Sequence, residues 1–209
     1  KKVDWQLIVL VCSLIIIMIM GVRQSLGLFL EPISQFMKDG KEFFSFAIGF
    51  QAIIWGVVTF GLGILIDKFG PQKVLAFGII CFASGIFLMS NPNNQLTLFS
   101  ATSLMGFGLG GAGMATMVSI AGKVAPPEKR SFAMGLIAAA ASFGQFVVVL
   151  PTMWMNKIFG WETSLIVLSI ITISLLLLLP LLNNTNEQNN KNDIFKDELQ
   201  NTLIFSLKE

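Results

Sequence analysis

Polar and apolar residues alternate along this chain in long blocks, not at short period. Six stretches, at about 6–36, 44–66, 74–90, 96–121, 131–154 and 164–182, are almost wholly apolar. Each is long enough to cross a hydrocarbon core of about 30 Å, which takes roughly 20 apolar residues as a helix. The first is too long for an upright crossing and turns amphipathic in its second half, so it should tilt or project, with Pro32 near its outer end. The segments between them, at Lys38–Glu42, Asp67–Lys73, Asn91–Gln95, Lys123–Arg130 and Asn156–Glu162, collect Gly, Pro, Asn and charge and are expected to be turns. The pattern predicts an all-α membrane protein of six transmembrane helices spanning residues 1–182. Polar composition from 183 to 209 predicts a linker, in which Ile194, Phe195, Leu199 and Leu203 could form one apolar stripe.

Composition strengthens this reading. Of the 209 residues 54% are hydrophobic and only 12% charged, against about 25% in soluble domains, and mean hydropathy is +0.76. The absence of His removes the commonest metal ligand and general base. With no intramembrane acid cluster either, an enzyme, a metal site and a bound cofactor are all disfavoured. Cys12 and Cys81 lie far apart in apolar runs and read as small hydrophobes, not as a disulfide. Basic residues in the short connections set the orientation. Lys1, Lys2, Lys68, Lys73, Lys123, Lys129 and Arg130 fall on one side; Lys38, Lys41 and Lys157 fall on the other. The N-terminus and residue 183 onward are thus expected in the cytoplasm of a cell whose inner (plasma) membrane the protein spans. Lys129 and Arg130 suit anionic headgroups, and no basic face interleaved with aromatics suggests a nucleic acid. A Lys opens the chain and no signal pattern precedes the first span, so it is read as a fragment.

The polar residues inside the spans are unevenly shared. Arg23, Gln24, Gln51, Thr59, Thr116, Ser142 and Gln145 occupy the first, second, fourth and fifth, while the third and sixth are nearly pure hydrocarbon. Lipid offers no hydrogen-bond partners, so these side chains must face protein or a wet cavity. Arg23 is the one basic residue deep in a span, and it cannot shed its proton. Its planar fork suits a carboxylate held by two parallel bonds. Structural pairing with Glu31 would need a partner about 12 Å along the helix and 80° around it; snorkelling to the surface is the other structural option. Gln24, Gln51, Trp55 and Gln145 are further candidates to line a cavity, Trp55 equally as buried packing. The Gly106–Gly113 run contains Gly-x-Gly-x-x-Gly, but with no strand before it and no acid some 20 residues on it is no dinucleotide site. Its small residues, like Ala138–Ala141, Ser142 and Gly144, are expected to let the fourth and fifth helices pack closely, or to unwind where a ligand approaches.

Gly63-Ile-Leu-Ile-Asp-Lys-Phe-Gly-Pro-Gln-Lys-Val-Leu75 resembles the loop between the second and third helices of major facilitator superfamily transporters. Gly63, Leu65, Asp67, Lys68 and Gly70 match its pattern; Pro71 and Gln72 depart from the usual basic pair, and Lys73 restores one charge. Gly21-Val-Arg-Gln-Ser-Leu-Gly-Leu-Phe resembles the oxalate/formate antiporter and monocarboxylate transporter branch. So does Gly160-Trp-Glu-Thr-Ser164, with Glu162 where a basic residue is usual. The resemblance implies one half of a twelve-helix fold, with a C-terminal six-helix half still to follow. It also implies a small organic anion as cargo, coupled to protons or a counter-anion, and alternating access between the halves. It assigns Gly63, Asp67, Lys68, Gly70 and Lys73 to a conformational gating loop, and Asp67 to contacts with the other half. A complete six-helix channel or scaffold acting as a homodimer is the alternative.

Overall fold

A computed structural model describes residues 4–38 and 41–182, apart from the side-chain surroundings of residues 62, 63 and 67. The expected linker with its apolar stripe, and Lys1 and Lys2, lie outside the described residues. Helices account for nearly all of the rest, with no strand among the described residues. They are α1 (Trp5–Ser25), α2 (Leu30–Met37), α3 (Lys41–Phe69), α4 (Pro71–Met89), α5 (Gln95–Ala112), α6 (Met114–Val124), α7 (Arg130–Val147) and α8 (Val149–Ser174). A final 3₁₀ stretch runs over Leu175–Leu182.

These helices group into five continuous apolar runs. The last, Pro127–Leu182, is 56 residues long, roughly 84 Å at 1.5 Å per residue, far beyond one bilayer. Gly160 divides it. Its φ of 80° and ψ of 166° interrupt the helix, in a region open essentially to glycine alone. The run is therefore two crossings, and the six-helix count holds.

The turns are much shorter than their polar composition suggests. Between α3 and α4 only Gly70 is non-helical, at φ 83°. Asp67 and Lys68 belong to the last turn of α3, and Lys73 to the first turn of α4. The expected turns at Asp67–Lys73 and Asn156–Glu162 thus each contract to one glycine. A helix end that leaves the hydrocarbon keeps its backbone bonds, and charge there costs little. Charge marks where a helix surfaces, not where it stops.

The first crossing is α1, a 3₁₀ turn over Leu26–Phe29, and α2. Pro32 cannot donate to the carbonyl four residues back, which is that of Leu28. Asn156 Nδ2 takes that acceptor instead, at 3.4 Å. The edge-on Phe36–Trp161 pair, centroids 5.4 Å apart, packs the same region. The Gly160 hairpin is thereby tied to the outer end of the first crossing.

The core lies where α1 meets α7 and where α4 meets α5 (Ile15, Ile19, Phe82, Ile86, Leu98, Met105, Ile137). Glycines set the spacing. A Cβ on Gly108 would stand 2.5 Å from Phe82 Cβ, and one on Gly111 would stand 2.8 Å from Gly78 Cα. Gly144 abuts the Ile17 backbone. The two small-residue faces do pack, Gly108 and Gly111 on α4 and Gly144 on α1, and the fourth and fifth crossings meet as expected, through α6 and α7. Cys12 and Cys81 are free and buried.

Hydrocarbon content does not track burial. In α4, 56% of the most apolar window is buried within the protein, against 17% in α3. Lipid and protein core are equally apolar, so purity alone does not tell which a helix faces.

Candidate functional site

Arg23 sits two residues beyond Gly21, where α1 and α7 approach closely enough that a Cβ on Gly21 would strike Val148. The helix there is fixed, and Arg23 projects half-buried from it. Its Cζ lies 4.8 Å from the centroid of the Trp55 ring, on α3. Such a stacked cation is worth about 0.5–1 kcal/mol when exposed and about 2 kcal/mol when desolvated. Among the described residues the Arg23 side chain has no ion pair and no hydrogen bond. Glu31, its structural alternative, is taken: it pairs with Lys41 and accepts from Gln35 Nε2 at 2.8 Å. One face of the guanidinium is covered by an indole, and its N–H groups are left without a protein acceptor.

Trp55 is half-buried and held from below. Thr59 Oγ1 donates to the Trp55 carbonyl at 2.7 Å. The ring forms part of the wall of an open groove of about 630 Å³, between α3 (Ala52, Gly56, Thr59) and the fourth crossing (Leu109, Met114, Ala115). The fourth crossing is broken beside it. Gly113 is extended, at φ −84° and ψ −166°, and separates α5 from α6. A Cβ on Gly113 would lie 3.5 Å from Trp55 Nε1. The break exposes the first N–H groups of α6, with no side-chain cap, and Met114 and Ala115 of that turn line the groove. Helix N-termini carry partial positive charge, and discontinuous helices of this kind surround the ligand in many secondary transporters.

Gln51, one turn before Trp55, is 2% exposed and its Nε2 lacks a partner. Its backbone oxygen is where a Cβ on Gly106 would strike, 2.8 Å away. Gln24 and Gln145 are exposed. Gln24 follows Arg23 by 100° around the helix, and Gln145 follows Gly144, the residue that abuts Ile17. Of the five candidates the structure brings Arg23, Trp55 and, by one turn, Gln51 together; it does not draw Gln24 or Gln145 to them. Sequence reasoning missed Met114, and flagged Gly113 only as one end of the Gly106–Gly113 run. The signal was the glycine run itself, which serves both anticipated purposes, packing at Gly106, Gly108 and Gly111 and unwinding at Gly113.

At the other end of α3, Lys68 Nζ lies 5.4 Å from the Phe69 ring, and Lys73 is exposed at the start of α4. The surroundings of Gly63 and Asp67 lie outside the described residues. Among the described residues no cluster of His, Cys, Asp and Glu could hold a metal ion.

Comparison with known proteins accords with this geometry. Residues 9–207 match the Major Facilitator Superfamily. The chain is 26% identical over 162 residues to the uncharacterized MFS-type transporter YcxA of Bacillus subtilis (strain 168), covering 74% of this chain and 38% of that protein. It is 24% identical to the putative niacin/nicotinamide transporter NiaP of the same organism, covering 52% of this chain and 27% of that protein. It is 27% identical to dipeptide and tripeptide permease A of Erwinia pyrifoliae, covering 61% and 26%. The chain thus spans about a quarter to two fifths of the length of these relatives. It belongs to the Major Facilitator Superfamily, a family of multi-pass membrane transporters and not of enzymes.

Proposed function

We propose that this member of the Major Facilitator Superfamily is the N-terminal six-helix half of a secondary transporter for a small organic anion, and that the anion's carboxylate binds Arg23. The observation that carries the reading is the Arg23–Trp55 pair: a cation within a span, oriented by an indole, with no acidic partner among the described residues. A guanidinium so placed is half desolvated before any ligand arrives, and a carboxylate satisfies it bidentately. The groove below is lined mainly by carbon, with Thr59 already bonded to its own helix. That favours a monocarboxylate with an apolar body over oxalate, whose second charge would enter hydrocarbon. Formate would leave the groove unfilled. Niacin and di- and tripeptides, named as cargo of two relatives, also carry carboxylates, whereas nicotinamide, named beside niacin, does not.

In this reading a second six-helix half closes the cavity, and rocking of the halves exposes the site alternately to each side. A proton or a counter-anion couples the cycle. The Gly63–Lys73 segment acts at the cytoplasmic face, Asp67 biasing the equilibrium between the two states through contacts with the other half. The N-terminus and residue 183 onward are cytoplasmic, with the protein in the inner (plasma) membrane.

The test is a binding titration of purified, reconstituted protein with lactate, benzoate, formate and oxalate. Loss of a buried charge-assisted pair costs roughly 2–5 kcal/mol, or about 30- to 4,000-fold in affinity. Arg23→Gln should abolish binding of the preferred anion and Arg23→Lys should leave a weak remnant, with both proteins folded. Unchanged affinity in folded Arg23→Gln would remove Arg23 from the site.

A further inference from the structure

A second groove, of about 520 Å³, opens on the other side of α3, between it, α4 and α5. Helices α3 and α4 meet at the Gly70 hairpin and then splay, and α5 closes the back. Gly61 leaves space there, and Leu65, Phe69, Phe77 and Phe107 stand along it with much of their surface uncovered. The lining runs from Val57 to Phe69 along α3. Twelve residues rise about 18 Å, close to the half-thickness of roughly 15 Å that one leaflet contributes to the hydrocarbon core.

The groove is apolar along its length and cationic at one end. Lys73 lines it there. Lys68 reaches the same place through its contact with Phe69. The first turn of α4 starts beside them, capped only by Gly70 and lacking any side-chain acceptor for its N–H groups, so the helix end adds partial positive charge. An apolar slot one leaflet deep, ending in two lysines and a helix N-terminus, has the shape and charge order of a single anionic lipid.

We propose that this groove seats one anionic phospholipid, its acyl chain between Phe77 and Phe107 and its phosphate at Lys68 and Lys73. The inference is independent of the cargo, because the two grooves take different faces of α3: Ala52, Gly56 and Thr59 line the first, and Val57, Gly61 and Leu65 line the second. Charge complementarity selects the occupant: a neutral lipid would fill the slot but leave both lysines without a counter-charge among the described residues, and an apolar protein segment would do the same.

The experiment places a reporter in the groove. In the intact protein every native tryptophan, Trp5, Trp55, Trp154 and Trp161 among them, is replaced by Phe, and Phe77→Trp supplies the only indole. The protein is reconstituted in phosphatidylcholine containing increasing fractions of brominated phosphatidylglycerol, and separately in phosphatidylglycerol containing brominated phosphatidylcholine. Quenching gives the relative binding constant of the two lipids at that position. One Lys or Arg near a membrane surface is worth about fivefold, so phosphatidylglycerol should be favoured about 5- to 25-fold. Lys68→Gln with Lys73→Gln should bring the ratio to about 1. Gly61→Leu, at a site where a Cβ meets nothing within 4 Å, should fill the slot and lower quenching by both lipids while the protein stays folded. A ratio near 1 in the parent, or a ratio indifferent to the two lysine substitutions, would overturn the proposal. Absence of quenching by either lipid would also overturn it, and would show that protein, from a second copy or from the rest of the chain, covers the groove.

Discussion

Two glycines nine residues apart on α7 should respond to the same substitution with opposite sign. At Gly144 a Cβ would lie 2.6 Å from Ile17 Cα and 2.8 Å from Ile17 C, both backbone atoms of α1. Ordinary contact begins near 3.4 Å, so Gly144→Ala must part the helices by about 1 Å or bend one. A gap of that size forfeits a quarter to a half of the dispersion energy of each contact it opens. The neighbouring Gly21–Val148 contact lies in the same seam and would loosen with it. Overpacking of this kind costs typically 1–3 kcal/mol. For a chain of this size 1 kcal/mol moves a melting temperature by roughly 2–4 °C, so Gly144→Ala should lower it by about 2–12 °C. At Gly135 a Cβ meets nothing within 4 Å. There Ala relieves the entropic cost of glycine in a helix, about 0.5–1 kcal/mol, and should raise the melting temperature by a few degrees. The assay is thermal unfolding in detergent, followed by the loss of the monodisperse peak on size exclusion. Equal shifts for the two variants, or a Gly144→Ala protein at least as stable as the parent, would refute the argument that α1 and α7 meet at glycine.

Other outcomes follow from single features. Gly70→Ala and Gly160→Ala put a side chain on a backbone with φ near 80° and should each cost about 1–3 kcal/mol, visible as lowered melting in the same assay. Asn156→Ala removes the donor to the Leu28 carbonyl and should loosen the Gly160 hairpin, read as faster hydrogen exchange there with little change at Gly70. Lys41→Ala breaks an ion pair between two exposed side chains and should leave melting unchanged within error. Single cysteines replacing Asn93 and Lys129, in a Cys12→Ser, Cys81→Ser background, should label from opposite sides of the membrane; labelling from the same side would contradict the crossing between them.

What could be read from the sequence, and what could not, divides along one physical line. Hydropathy is a solvent property of each residue, so the spans and the abnormal position of Arg23 were visible residue by residue. Contacts are properties of pairs. Arg23 and Trp55 could each be flagged, but nothing in their spacing of 32 residues says that one lies on the other. The glycines of the fourth and fifth crossings announced close packing without naming the helix that approaches. The tie from Asn156 to Leu28 begins with Pro32, whose missing N–H leaves a carbonyl free, yet only the fold decides what answers it. Turn lengths failed for a related reason. Asp67, Lys68 and Lys73 looked like loop because they are charged, whereas a helix can carry charge wherever it has left the hydrocarbon.

Charge balance within the spans links these observations to transport. Of the acidic side chains described, Asp4, Glu42, Glu128 and Glu162 stand at helix ends, and Glu31 is matched by Lys41. Arg23 is the exception, a cation at membrane depth whose protein contact is the uncharged face of an indole. For a half-buried cation stacking supplies between about 0.5 and 2 kcal/mol, less than the roughly 2.5–3.5 kcal/mol that insertion scales assign to a central arginine. An empty site is therefore left with a residual cost. On the proposed reading an anion that reaches Arg23 would remove it, and binding energy would be concentrated where three crossings meet: Arg23 on the first, Trp55 on the second, and the Gly113 break on the fourth. On the same proposal a ligand that drew those three together would act on several helices at once, which is how it could supply the differential affinity a two-state carrier requires. The same arrangement makes Trp55 a positioning residue with a graded effect. Trp55→Phe keeps a ring with a weaker quadrupole and should weaken anion binding by about two- to fivefold, and Trp55→Leu should weaken it by about 5- to 30-fold. Both should leave the Arg23→Gln protein, already unable to bind, unchanged. Equal affinities for the parent and Trp55→Leu would mean that the indole does not orient the guanidinium.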